Sequence, residues 1–390
     1  MGAVDVDKIA EAVLYEGYLL FPYRRSSMKN QQRWTFGGVY PKDYSEATGG
    51  DDPWTMQTQC LLFGDADTTI EVKVRFLHAV DRKVTENSSG SPRFVEEIRV
   101  GATVYRSWEE AIEREILPGG SENAPPLRIV GLLAHTRRFP IDIPAGAEVE
   151  TLIDENLKEV GALVREWRGV RGVMELSAER LDMPAIPACA EAAGRAVYRL
   201  TARIENRTPW PLEGGDPLSR PDAVRHSMIS THTILHVSGG EFISLLEPPD
   251  ALQQDASRCE NVRTWPVLVG EPSERQTMLS SPIILYDYPQ VSPESQGNYF
   301  DATEIDELLA LSVMTLTEDE KQEMREGDRH GREILERTES LSEEQLLKMH
   351  GVIRYLQPLT TLIGDSPATP SKTGAAHSPY AREQAGEGSC

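Results

Sequence analysis

Apolar and polar residues alternate one by one over long stretches of the first 290 positions. Between residues 60 and 80, Ile70, Val72, Val74 and Phe76 interleave with Glu71, Lys73 and Arg75, the period of a strand with one wet face. Related patterns predict strands over 94–104, 172–177, 196–205, 265–269 and 282–288, and the apolar run LRIVGLLAH predicts a buried strand over 127–135. MISTHTILHV and EFISLLEPP, joined by Ser238-Gly239-Gly240 and stopped by Pro248-Pro249, read as a hairpin. From Ala12 to Pro41 the chain opens with Val13, Leu14, Tyr15, Tyr18, Leu19, Leu20, Phe21 and Tyr23. Bounded by Pro22 and Gly37-Gly38, this stretch predicts two strands joined by a basic, amide-rich loop. A helical period is read in two places. Ser107 to Glu110 has the form of a capping box and predicts a short helix to Ile116. Leu152, Ile153, Leu157, Val160, Val164 and Trp167 fall near one helical face, which predicts a helix over 149–167 capped by Thr151.

The character changes at Phe300. Asp301 to Glu304, Thr317 to Glu320 and Ser342 to Gln345 are three helix-start signals, and they predict three helices. Gly327 and Gly331 weaken the middle one. Beyond Gln357 the chain lacks core-forming residues and predicts a disordered tail. The fold class expected is α+β and mainly β: antiparallel, sandwich-like sheets with a helical C-terminal portion and a disordered tail. The divisions expected are a β-rich part with two helices over 1–168, a sandwich-like part over 169–299, a helical segment over 300–357 and the tail over 358–390. The proline-rich loop 206–227 interrupts the sheet pattern.

A formal net charge of −22 disfavours nucleic-acid backbones and anionic membranes as partners. Cys60, Cys189, Cys259 and Cys390 are scattered without a C-x-x-C pair, which argues against structural zinc, an iron–sulfur cluster or a redox dithiol. The opening residues MGAVDVDKIAEA lack the basic start and apolar core of a secretory signal. No apolar run reaches the ~20 residues that cross a bilayer, so the reading is a cytoplasmic protein with reduced thiols.

Candidate chemistry is sparse. His226, His232 and His236 lie near Glu241 and form the one metal candidate. In a strand, however, the four residues from His232 to His236 span ~13 Å, too far for two imidazoles to share an ion. The carboxylate pairs Glu109-Glu110, Asp51-Asp52 and Glu343-Glu344 are adjacent in sequence and do not form an acid/base pair. No nucleophile elbow, Walker loop or dinucleotide fingerprint is present, and no catalytic residue or cofactor is assigned. Two stretches carry the aromatic-plus-arginine composition of binding hot spots or anchors. The first holds Tyr18, Arg24, Arg25, Lys29, Arg33 and Trp34; its bland alternative is a solvated hairpin tip. The second, residues 287–309, holds Tyr288, Tyr299 and Phe300, with Tyr286 just ahead; its bland alternative is a linker lying on its own sheet.

Three segments together, VLYEGYLLFPYRRSSMKNQQRWTFG, STHTILHVSGGEFISLLEPP and DYPQVSPESQGNYFDATEIDELLALSVMTLTEDEK, resemble a family of bacterial accessory proteins. That family is encoded with the actinobacterial-type, oxygen-tolerant nickel–iron hydrogenases, and the resemblance spans residues ~12 to ~355. It implies an accessory or assembly role, with a hydrogenase subunit or maturation protein as partner, and it brings no catalytic residues across. The chain lacks the cysteine sets of the redox subunits themselves. The expected function is non-catalytic protein–protein contact. The alternatives are a metal-assisted hydrolase built on the His226–Glu241 region and a purely structural component of a larger complex.

Overall fold

The computed structural model describes residues 2–19, 21–24, 27, 30, 37–88, 91–101, 103–121, 124–182, 195–210, 216–290, 306–327 and 329–342. In chain order the strands are β1 (Thr55–Gly64), β2 (Thr69–Ser88), β3 (Ser91–Val95), β4 (Glu97–Val100), β5 (Thr103–Arg106), β6 (Trp108–Ile116), β7 (Leu127–Arg128) and β8 (Arg137–Ile143). They continue with β9 (Gly146–Ile153), β10 (Glu159–Trp167), β11 (Val170–Leu181), β12 (Ala196–Asn206), β13 (Ile229–Ser238), β14 (Glu241–Ile243), β15 (Trp265–Leu268) and β16 (Thr277–Ser281). The helices are α1 (Gly2–Leu14), α2 (Lys42–Ala47), α3 (Ile129–Ala134), α4 (Arg220–Arg225), α5 (Gln253–Ser257), α6 (Asp306–Met314), α7 (Glu318–Glu326) and α8 (Arg329–Glu339).

Two antiparallel sheets face one another. The smaller has the order β14-β1-β12-β11-β8, and the larger runs β15-β16-β13-β2-β10-β9 with β3, β6 and β7 also paired to β2. Each sheet draws strands from both sides of residue 168: β1 pairs with β12, and β2 pairs with β13. The 20-residue β2 is the spine, flanked by β13 and β10 along one edge and by β7, β6 and β3 along the other. Its alternation places Ile70, Val72, Val74 and Phe76 in the core between the sheets, against Leu62, Met174, Leu200 and Leu235. Leu77 and Ala79 point the other way, into a second cluster with Leu14, Tyr18, Leu309, Val313, Ile334 and Leu335. The C-terminal helices therefore cover the outer face of the larger sheet. The mainly β, sandwich-like expectation with a helical C-terminal portion is met; residues 343–390, the expected tail included, lie outside the described residues.

Several local expectations are corrected. The start of the 12–36 stretch is the end of α1, not a strand, and residues 15–19 are turns. Val6, Ile9, Ala10 and Val13 stand at helical spacing and are buried against Val267, Val269, Leu279 and Leu285, each large aliphatic contributing roughly 1.5–3 kcal/mol. Reading the pattern from Ala12 onward hid this period. Residues 108–116 form β6 rather than a helix, because pairing with β2 over nine positions outweighs a local cap signal. Ser107 Oγ there accepts from the Val84 N–H and donates to the Val95 carbonyl, joining strands instead of capping. Residues 149–167 form the β9–β10 hairpin: Asp154 accepts the N–H groups of Asn156 and Lys158, and Leu157 takes a left-handed turn position at φ 61°. The 127–135 run divides into β7 and α3.

The β13–β14 segment turns at Gly239-Gly240 without pairing with itself. β13 stays in the larger sheet while β14 pairs with β1 in the smaller. A Cβ on Gly240 would come within 2.6 Å of the Phe63 carbonyl oxygen, so the turn needs glycine to cross between sheets. Residues 282–288 carry no strand. Thr317 completes its capping box with Glu320, as the spacing indicates. The helix starting there ends at Gly327, and α8 begins separately at Arg329. The Asp301 start signal and all but Ser342 of the last one fall outside the described residues.

Candidate functional site

The four metal candidates are each held by neighbours of their own. His226 follows α4, with Nδ1 3.0 Å from the Gly169 carbonyl and its ring edge-on to Trp210. His232 is fully buried on β13, Nδ1 lying 3.1 Å from the Ser230 carbonyl. Burial, with a smaller contribution from the Arg75 charge, pulls its pKa down to about 4. His226 is also lowered, mainly by burial. His236 meets Thr277 Oγ1 at 3.0 Å, and Glu241 pairs with Arg195 at 2.8 Å. Among the described residues no group of three or more His, Cys, Asp or Glu side chains is placed to hold a metal.

Of the first aromatic-plus-arginine stretch, Tyr18 and Arg24 are described. Tyr18 is buried among the helices, its ring 5.4 Å from Tyr15 and 5.1 Å from His330. Arg24 is half-buried and pairs with Glu320 at 3.0 Å, tying the N-terminal stretch to α7. Arg25, Lys29, Arg33 and Trp34 lie outside the described residues. In the second stretch Tyr288 anchors the chain: its N–H donates to the Leu268 carbonyl at 2.7 Å and its ring packs on the central core. Tyr299 and Phe300 lie outside the described residues. Tyr286, one of the residues grouped as possible anchors, faces solvent instead at 58 % exposure, beside Ile284 at 70 %. On the far side of residues 291–305, Leu308, Leu311 and Met314 of α6 are 49, 42 and 40 % exposed. The opposite face of that helix buries Leu309, Ala310 and Val313. The exposed α6 positions were missed because only the helix start was read. The signal was there: DELLALSVM is apolar on two faces, more than one packed side requires.

A cleft of about 620 Å³ lies between α1, α8 and the β6–β10 region. Its wall carries Tyr15, Tyr18 and His330, and Arg165 in its lining bridges Glu110 at 3.1 Å and Glu150 at 2.8 Å. Arg329 pairs with Glu333 at 2.6 Å, and Glu113 with Arg75. These charges answer one another across the cleft wall.

No protein-family model matches the chain, and a search of curated protein sequences finds no match.

Of the four cysteines, Cys60 and Cys259 are among the described residues. Cys60 is fully buried and its pKa is pushed far up by loss of solvent, and Cys259 is raised for the same reason. What the described surface does offer is apolar area at the two flanks of residues 291–305. Among the described residues no helix is long and apolar enough to cross a membrane.

Proposed function

We propose that this protein is a non-catalytic accessory factor that acts by binding another protein. The family resemblance makes a nickel–iron hydrogenase subunit, or a protein that matures one, the partner to test first. The observation that carries the reading is the exposure of Ile284 and Tyr286 before residues 291–305 and of Leu308, Leu311 and Met314 after them. Single apolar residues at a surface need no explanation, but a helix apolar on both faces and an exposed isoleucine–tyrosine pair, at the two ends of one chain segment, do. Aromatic and aliphatic side chains presented on a packed scaffold are what a partner buries at the centre of an interface.

The test is affinity capture from the native host with mass-spectrometric identification. Recovery of a hydrogenase subunit or maturation protein is expected, and Ile284→Asp with Leu311→Asp should abolish it at unchanged melting temperature. Equal recovery by that double variant would refute the proposed surface.

A further inference from the structure

Three side chains on the inner face of the larger sheet form a diagonal row. On β6, Arg114 stands opposite Phe76; on β2, His78 stands opposite Ile112; on β10, Trp167 stands opposite Val80. Phe76, His78 and Val80 alternate along one strand, so all three members of the row share the face that Phe76 turns to the core. The guanidinium carbon of Arg114 lies 5.2 Å from the centre of the Trp167 ring. The indole is itself fixed, since its N–H donates to the Pro144 carbonyl at 3.1 Å. The row sits where the chain leaves β10 and crosses to β11 in the other sheet, through the exposed Arg168 and Gly169.

Two polar atoms of this row are left over. Nε and Nη2 of Arg114 are buried without a hydrogen-bond partner among the described residues, whereas the fully buried His78 ring has the Arg225 and Arg168 backbone within reach. Such orphans are rare in folded proteins because each forfeits its hydration. Arg114 also lacks an ion pair among the described residues, in a chain with a surplus of carboxylates. Its counterparts Arg75, Arg82, Arg165 and Arg225 each have one within 4 Å. Burial and the charges of Arg114 and His226 lower the His78 pKa against backbone hydrogen bonds to Arg225 and Arg168 that raise it, while burial is the one cause acting on Arg114. Arg168 adds its charge at His226. Nε and Nη2 are the two donors along one edge of the guanidinium fork, the edge that takes two oxygens of a single carboxylate or phosphate side-on.

We infer that Arg114, stacked on Trp167 and flanked by His78 and Arg168, is a binding site for a small oxyanion, a carboxylate or phosphate group. Two of its oxygens accept the Nε–H and Nη2–H of Arg114, and the exposed Arg168, next to Trp167 in the chain, adds its positive charge to the attraction. Once bound, the anion faces the His78 ring and favours its protonation. The site thus supplies the counter-charge that the chain withholds from this arginine alone among those compared above.

The experiment titrates the full-length protein with inorganic phosphate, with acetate and with uncharged acetamide at constant ionic strength. It follows tryptophan fluorescence and the ring signals of His78 by NMR. Phosphate or acetate should give a saturable change below about 50 mM, and acetamide none. Arg114→Gln should weaken binding about tenfold or more, and Arg114→Lys, which keeps the charge but loses the two-donor edge, by a similar factor. Arg168→Gln, an exposed change that leaves folding intact, should weaken it by a few-fold. In the unmutated protein, saturating anion should raise the His78 pKa from about 4 by about one unit or more. Acetate and phosphate separate a planar from a tetrahedral preference. Saturation by acetamide as well, no saturation by either anion, or an unmoved His78 pKa would overturn the inference and leave buried water as the partner of these atoms.

Discussion

Lowering the pH from 7.5 to 5.0 should destabilise this protein, and one histidine substitution should remove about 2 kcal/mol of that loss. His232 is fully buried, its Nδ1 faces the Ser230 carbonyl, and its Nε2 has no hydrogen-bond partner among the described residues. Its pKa falls from 6.5 to about 4, chiefly through burial and secondarily through Arg75. The unfolded chain therefore binds a proton that the folded chain refuses, so stability is fully present above pH 6.5 and is lost as the pH falls towards 4. At pH 5.0 the difference in proton binding is worth about 2 kcal/mol for this group, against almost nothing at pH 7.5. His78 is lowered to about 4 as well, by burial first and then by Arg114, and adds a similar loss. Urea unfolding at the two pH values measures the total. His232→Asn should retain the His78 share and that of His226, whose pKa burial also lowers, so the pH-dependent loss falls by about 2 kcal/mol whatever the variant's own baseline. Equal pH losses in the variant and the unmutated protein would refute the placement of His232 as a neutral buried imidazole.

Other consequences follow from particular contacts. Gly161→Ala should lower stability by about 3 kcal/mol or more, seen as a lower urea midpoint, because a Cβ there runs into the Thr85 carbonyl of β2, next to the bulge of β10 against β9. Arg24→Ala breaks the half-buried pair to Glu320 and should cost only about 0.5–1 kcal/mol, diminishing with added salt. Cys60 should resist thiol reagents in the native state and react on unfolding, with Cys259 reacting first of the two. Elemental analysis of purified protein should find no stoichiometric metal that His232→Ala removes.

How much of this was open to sequence reading depended on whether local signals agreed with tertiary ones. β2, β11, β12 and the Thr317 cap were legible because alternation or cap chemistry matched the final environment. β6 was not: WEEAIEREI after a serine satisfies a helix cap locally, and its glutamates are explained by cations that only the fold brings near, among them Arg75, Arg82 and Arg165. The β9–β10 hairpin was hidden by Leu152 and Leu157, which share a helical face on paper. In the fold Leu152 is buried with Val84, Ile98 and Leu163, and Leu157 is fully out at a turn. The corner at Gly239-Gly240 reads as a hairpin turn until one knows that β14 belongs to the other sheet. The candidate surface was half legible. The 287–309 region was singled out for its tyrosines, yet Tyr288 turned out to be the anchor, and its neighbours Ile284, Tyr286 and the outer face of α6 carry the exposure. Arg114, His78 and Trp167 could not be grouped from sequence, because strand register brings them together across 89 positions.

The account stands on recognition through the apolar flanks of residues 291–305. The most direct measurement is quantitative capture from the native host, comparing the unmutated chain with the Ile284→Asp, Leu311→Asp double variant. A hydrogenase subunit or maturation protein should be enriched with the first and absent with the second, both melting at the same temperature. Undiminished enrichment by the variant, or a catalytic turnover that stays with the chain through purification, would contradict it.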